Sequence, residues 1–246
     1  MHEKIPHVLV GCPTHELKSD SLEHFLRGLN SLTYENVDVM IEDNSPTPTY
    51  AEKIRAAGKE WEKNHSGKTF EVIHTPNPAE SARERIVNGR NLIRERVLSG
   101  NYDYFLSLEQ DLVPPRDVIE TLLSRKKDVV SATYLNRKTI ANGYRIEIMA
   151  GKYFNAEEKA KGVFRDVGFN DILPSQLMEV DYTGVGCVLI ARNVLEKIAF
   201  RFNADTPHCD DMLFCMDAQR AGYQLFLDSH TWCKHYFNDA FAKTKY

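Results

Sequence analysis

The sequence predicts an α/β fold with a mostly parallel central sheet flanked by helices. Strand-sized apolar runs alternate with helix-length amphipathic segments, the pattern of successive βα units. His7–Cys12 and Cys187–Ile190 are near-continuous apolar runs, as strands buried on both faces require. Acidic residues cluster just past several of the strands, where open α/β sheets bind their ligands.

Taken in order, His7–Cys12 is the first strand and ends in a Gly-Cys-Pro-Thr turn. Asp20 with Glu23 predicts a capping box, and Leu22, Phe25, Leu26 and Leu29 then form one apolar helix face. Val37–Glu42 is the second strand, closed by the turn chemistry of Asp43-Asn44-Ser45-Pro46. A charged helix over about Tyr50–Lys63 precedes a third strand, Phe70–His74. The stretch from about Glu80 to Leu98 reads as a helix carrying Arg83, Arg85, Arg90, Arg94 and Arg96, with Gly100 available as a left-handed cap. Tyr102–Leu108 is the fourth strand and runs into Glu109-Gln110-Asp111. Pro114-Pro115 stops it and opens a short helix containing Val118, Ile119, Leu122 and Leu123, and Asp128–Tyr134 is another strand.

Beyond Tyr134 the pattern changes. Tyr144, Ile146 and Ile148 alternate with Arg145, Glu147 and Met149, a half-solvated strand. Gly151–Met178 has no clear period. Gly184 and Gly186 break a run that leads into the buried strand Cys187–Ile190, and Asn193 is a candidate cap for a short helix to Ala199. Asp210-Asp211 opens a helix through Arg220, closed by Gly222, and Tyr223–Leu227 is the last strand. With no repeat, low-complexity tract or linker, residues 1–246 read as one domain.

The net charge of −4, from 31 basic and 35 acidic residues, argues against a nucleic-acid partner, which calls for a basic face. No apolar run follows Met1 and none approaches the ~18 residues of a membrane span, so neither a signal peptide nor a transmembrane segment is expected. Five cysteines without a CxxC pair suit reduced thiols and a cytoplasmic location.

Two acids at i and i+2 on a turning backbone, Glu109 and Asp111, can converge on one hard cation; Mg²⁺ or Mn²⁺ takes one or two carboxylates and completes its shell with phosphates and water. The plain alternative is a polar strand end. Asp43 is placed to accept hydrogen bonds from a ribose or base, although Asp-Asn-Ser-Pro equally makes an Asx turn. The arginine-rich helix offers guanidinium groups suited to a diphosphate, while most of its arginines read as a solvated face. Gly89 inside that helix points to close packing or close ligand approach. Asp210 and Asp211 suit a helix N-terminus by the dipole alone, and also suit a general base. A zinc site from Cys209, Cys215, His230, Cys233 and His235 matches no standard spacing.

In their order along the chain these pieces resemble a GT-A glycosyltransferase, closest to the family-2 group, over about Val8–Tyr236. The resemblance rests on Val8-Leu-Val-Gly-Cys-Pro-Thr14, Glu42-Asp-Asn-Ser45, Gly89-Arg90-Asn91 and the Asp-x-Asp-like Glu109-Gln-Asp111. Thr183-Gly-Val-Gly186 and the acidic pair Asp210-Asp211 continue it. It implies a single GT-A domain, with residues 1–111 binding a nucleotide-sugar donor and 112–246 serving the acceptor and completing the metal site. It also implies nucleotide-binding roles for Pro13, Thr14, Asp43 and Arg90, and a Mn²⁺ or Mg²⁺ cofactor held by Asp111, Glu109 and His235, with His230 a weaker ligand. Asp211 or Asp210 would be the catalytic base; the family's usual Glu-Asp pair reads Asp-Asp here, which leaves the choice between them open. The donor would be a UDP- or GDP-sugar and the acceptor a hydroxyl of unknown identity, set by Gly151–Met178 and the tail after Tyr236. The Gln-x-x-Arg-Trp motif of processive synthases is absent, which favours single-sugar transfer. The rival readings are a sugar-phosphate nucleotidyltransferase, whose Gly-rich basic loop after the first strand is missing, and a non-catalytic nucleotide-sugar-binding protein.

Overall fold

The first strand, β1 (Val8–Thr14), is buried along its whole length, as its apolar run requires. After it come a 3-10 turn over Glu16–Ser21, α1 (Leu22–Asn30), β2 (Val37–Asp43), α2 (Thr49–Asn64), β3 (Phe70–His74), α3 (Ala82–Ser99) and β4 (Tyr104–Leu108). The middle of the chain forms β5 (Leu112–Val113), α4 (Val118–Ser124), β6 (Val129–Thr133), β7 (Leu135–Ile140), β8 (Gly143–Ile148), β9 (Ala150–Lys152), α5 (Ala156–Lys161) and β10 (Arg165–Asp166). Last come β11 (Leu177–Val180), β12 (Tyr182–Thr183), β13 (Cys187–Ala191), α6 (Arg192–Lys197), α7 (Asp210–Arg220), β14 (Leu225–Trp232) and β15 (Lys234–His235). The computed structural model describes residues 4–76, 79, 81–161, 164–205 and 208–237. Glu80, the expected helix start, and the tail beyond Phe237 lie outside the described residues.

Eight strands form one sheet in the order β11-β14-β6-β13-β4-β1-β2-β3. β1 is parallel to β2 and β4, β2 to β3, and β14 to β6. β13 runs antiparallel between β4 and β6, and β11 antiparallel beside β14. The expected, mostly parallel sheet is therefore present, with strands from both halves of the chain. Alternate side chains feed two cores. Val8, Val10 and Cys12 join Phe25, Leu29, Ile54, Trp61 and Ile119 on the face covered by α1, α2 and α4. Leu9 joins Val87, Ile93, Val97, Leu195 and Phe214 on the face covered by α3, α6 and α7. None of the helices among the described residues is long and apolar enough to cross a membrane.

Four local expectations are corrected, the first being Asn193, which lies inside α6 behind the N-cap Ala191 and does not cap it, in a helix that ends at Lys197. The Asp20–Glu23 capping box does not form, because the 3-10 turn absorbs Asp20 and α1 starts at Leu22. The Ser21 hydroxyl that precedes α1 donates to the Lys18 carbonyl instead of capping the helix. Gly100 is extended (φ −96°) rather than left-handed. The carbonyls at that helix end are taken by the Arg192 guanidinium, which donates to Val97, Leu98, Gly100 and Tyr102. An arginine from α6 thus does the work assigned to a glycine turn. The expected strand is β8, paired with β7 in a hairpin, but it is not half-buried: Tyr144 and Ile146 are exposed and only Ile148 is buried.

Candidate active site

Parallel register brings the strand ends to one level: Thr14 lies opposite Asp43, and Asp43 opposite His74. β4 finishes beside them and turns at once, with the Leu112 amide donating to the Glu109 carbonyl (2.9 Å). Gln110, the middle residue of that turn, is buried. Its Oε1 accepts from Thr14 Oγ1 (2.5 Å) and Tyr50 OH (2.9 Å). Its Nε2 donates to the Lys18 carbonyl (2.6 Å) and Ser21 Oγ (3.2 Å). A fully satisfied amide therefore pins the turn, and Glu109 and Asp111 on either side of it both reach one ammonium, Lys18 Nζ. It stands 3.0 Å from Asp111 Oδ2 and 3.9 Å from Glu109 Oε2.

His235 arrives from the far end of the chain, because β15 pairs with β5 and sets His235 opposite Leu112. Its Nδ1 donates to the Leu135 carbonyl (2.7 Å), since a carbonyl can only accept. That leaves Nε2 facing Asp111 Oδ2 at 3.7 Å. Burial works against the Asp111 charge, but Lys18 and His235 outweigh it and hold the carboxyl well below the usual carboxylate range. Burial likewise opposes a charged His235, yet its bond to Asp111 raises the imidazole above its ordinary value.

Arg90, on α3, is 1% exposed and forks between segments. Nη2 donates to Glu109 Oε1 (2.7 Å), and Nη1 to Asp210 Oδ2 and to Asp211 Oδ1 (3.4 Å). Asp211 Oδ2 also accepts from the Val185 amide (3.3 Å), in the Thr183–Gly186 turn. Burial pushes the Asp211 carboxyl up, Arg90 pulls it down, and the net direction is upward. Gly184 and Gly186 are required here, because a Cβ on either would collide with the Tyr134 hydroxyl. That hydroxyl accepts from the Gly186 amide (3.1 Å) and ties the turn to the end of β6.

Sequence-predicted residues fall into two groups. Arg90, Glu109, Asp111, Asp210, Asp211 and His235 are brought together, linked through Lys18 and Arg90. Pro13, Thr14 and Asp43 line the neighbouring strand ends. Asp43 is fully buried: Oδ1 accepts from the Ser45 amide (3.1 Å) and hydroxyl (2.5 Å), and Oδ2 meets His74 Nδ1 at 3.1 Å. The Asx turn and the edge position are thus both present. His230 turns to Asp228 (3.0 Å), which Arg125 also holds. The five residues of the zinc reading are spread apart: Cys215 lies against Thr183, His230 against Asp228, and His235 against Asp111.

Sequence reasoning missed Lys18, Gln110 and Tyr134. Gln110 was visible only as the middle letter of an acidic motif. Lys18 stands past the Gly-Cys-Pro-Thr turn that follows the first strand, in no motif of its own.

Among the described residues no three His, Cys, Asp or Glu side chains enclose a metal ion. The donors present still fit a Mg²⁺ or Mn²⁺ site completed by a substrate. Asp111 Oδ1 is buried without a partner, and His235 Nε2 stands 3.7 Å from the other oxygen of the same carboxylate, its Nδ1 fixed by a carbonyl as in metal-ligating histidines.

No protein-family model and no curated protein sequence matches this chain. Solved structures do. GalNAc-T7 with UDP, GalNAc and Mn²⁺ superposes with a TM-score of 0.64 at 12% identity, covering 96% of this chain and 45% of that one. The mannosyltransferase PcManGT from Pyrobaculum calidifontis, with GDP-Man and Mn²⁺, gives 0.61 at 13% identity, covering 96% of this chain and 58% of that one. S. aureus TarS 1–349, with UDP-GlcNAc, gives 0.58 at 13% identity over 98% of this chain and 62% of that one. The chain therefore spans about half of each of these three proteins. The fold is that of the GT-A glycosyltransferases.

Proposed function

We propose that this chain is a metal-dependent glycosyltransferase that moves a single sugar from a UDP- or GDP-linked donor to an acceptor hydroxyl. The observation that carries the reading is the meeting of Arg90 with Glu109, Asp210 and Asp211 at the end of β4. Residues from three distant stretches converge there, at the carboxyl edge where sheets of this kind bind ligands. The donors seen in the structural neighbours, UDP-GlcNAc and GDP-Man, supply the substrate class.

In this reading residues 1–111 hold the donor, with Pro13, Thr14 and Asp43 at the nucleoside and Arg90 near the diphosphate. Asp111, Glu109 and His235 would hold the cation. A bound Mn²⁺ or Mg²⁺ supplies Lewis-acid stabilisation of the departing nucleoside diphosphate. Residues 112–246 serve the acceptor. Asp210 is committed to Arg90, so the proton of the attacking hydroxyl passes to Asp211, whose burial raises its basicity toward working pH. Direct displacement with Asp211 as base inverts the anomeric centre. Five free cysteines support a reducing, cytoplasmic setting.

The test is a thermal-shift panel of UDP, GDP, CMP and TDP, each with and without Mn²⁺, on wild type and Asp111→Ala. A ligand at 100 times its Kd adds about 2.7 kcal/mol to stability. The expected result is a Mn²⁺-dependent shift with one nucleotide, lost in Asp111→Ala. No shift at millimolar concentrations would overturn the donor site.

A further inference from the structure

Lys18 is absent from every motif that links this chain to its fold, yet it sits at the centre of the acidic turn. Its ammonium lies between Asp111 Oδ2 (3.0 Å) and Glu109 Oε2 (3.9 Å), with the side chain 20% exposed. The backbone that carries it is fixed from below: the Lys18 carbonyl accepts from Gln110 Nε2 and from Ser21 Oγ (2.8 Å). Gln110 is the residue between the two acids, so one buried amide sets both the carboxylates and the lysine that answers them. Glu109 is held in place through its other oxygen by Arg90. Only the lysine side chain beyond Cα, four methylenes and an ammonium, is left to swing.

An ammonium and a divalent ion cannot occupy the same gap between two carboxylates. We propose that Lys18 is a resident cation that competes with the divalent metal for Glu109 and Asp111, and that metal binding displaces its ammonium toward the donor's diphosphate. The inference rests on the metal-dependent reading above. It makes metal affinity depend on nucleotide: alone, a metal ion must evict Lys18 into water, whereas a bound diphosphate gives the evicted ammonium a new partner. Asp111 Oδ1, buried and unpartnered, is the oxygen on which the exchange can begin.

The test is Mn²⁺ affinity, read from the free-ion electron paramagnetic resonance signal, for wild type and Lys18→Met, with and without UDP or GDP. Lys18→Met is expected to bind Mn²⁺ at least tenfold more tightly than wild type without nucleotide, and to gain less from nucleotide. Equal or weaker binding by a folded Lys18→Met overturns the proposal. Should that variant fail to fold, acetylation of wild-type Lys18 followed by mass spectrometry replaces it, with exposed Lys63 as internal reference. Mn²⁺ is expected to raise Lys18 labelling several-fold, and labelling unchanged by Mn²⁺ overturns the competition. Tighter Mn²⁺ binding in Lys18→Met with no response to any nucleotide supports the competition and overturns the nucleotide-sugar reading. Nucleotide-enhanced Mn²⁺ binding with equal affinities in the two proteins does the reverse.

Discussion

Arg90 offers the sharpest check on how the site is held together. Its guanidinium is buried and bonds to Glu109, Asp210 and Asp211. At ~3 Å and an effective dielectric of ~20, each close pair is worth about 5 kcal/mol before desolvation is subtracted. Removing one partner of a buried ion pair typically costs about 3–5 kcal/mol, because the charges left behind stay buried. Arg90→Met keeps the aliphatic bulk and deletes the charge, so a loss of about 3–5 kcal/mol is expected near pH 8. Arg90→Lys keeps the charge but gives one point donor where a fork spans Glu109 and Asp210, and should lose about half as much.

The loss must also depend on pH. Arg90 pulls the raised Asp211 carboxyl down, so without it the Asp211 pKa rises further above the unfolded value. A folded state with raised carboxyl pKa binds more protons than the unfolded chain, so its stability falls as pH climbs through that window. The deficit against wild type is therefore smaller at pH 5 than at pH 8. Urea unfolding followed by the fluorescence of Trp61 and Trp232 measures both. With a slope of about 3 kcal/mol per M, the pH 8 midpoint of Arg90→Met should drop by about 1–2 M. A midpoint within about 0.3 M of wild type at both pH values would refute the claim that Arg90 balances buried charge.

Two further expectations concern the nucleotide edge. Glu42 is buried and its pKa rises from 4.5 to about 7, mainly by desolvation, so between those values the folded state holds the extra proton and stability falls as pH rises. Glu42→Gln should be near neutral at pH 5 and stabilising at pH 8, by at most on the order of 3 kcal/mol, and an equal melting-temperature change at both pH values would contradict it. Gly89→Ala should destabilise even though alanine favours a helix by about 1 kcal/mol, because the new Cβ would enter the Glu42 carboxylate and meet Pro13 Cβ at 2.9 Å. Overpacking of that kind costs about 1–3 kcal/mol; a raised melting temperature would show that α3 can back away freely.

The elements were legible because both faces of the sheet are covered, and burial on two sides leaves apolar runs that read without ambiguity. Asp111 and Asp211 were legible as candidates because strand ends and helix starts sit at the sheet's carboxyl edge. What a sequence withholds is direction. Arg90, Arg94 and Arg96 share one helix, yet Arg94 caps the carbonyls of Leu195 and Ile198, Arg96 pairs with Glu71, and only Arg90 of these three enters the site. The same limit explains Gly100: a glycine after a helix suggests a left-handed cap, and nothing local announces that Arg192 arrives to serve those carbonyls. Asp43 is the subtler case. Its place at the edge and its Asx turn with Ser45 could be read, but its engagement by His74 depends on β3 lying beside β2.

Charge order explains both the stability of the site and its obscurity in the sequence. Contacts run Asp111, Lys18, Glu109, Arg90 and then Asp210 with Asp211, alternating in sign. Alternation is what allows carboxylates to be packed this closely, since each cation is shared and no carboxylate pair meets without one between. Because the partners come from the first turn, α3, the β4 turn and α7, no single segment reads as strongly charged. The sum is not zero, however. Four carboxylates against Lys18 and Arg90 leave two negative charges, before any proton on His235. A diphosphate brought to this edge meets like charge, and like charges in a partly dry site repel by several kcal/mol unless a cation intervenes. Under the proposed function, a donor diphosphate at this edge therefore calls for a cation in addition to Lys18 and Arg90, the role assigned above to the divalent ion.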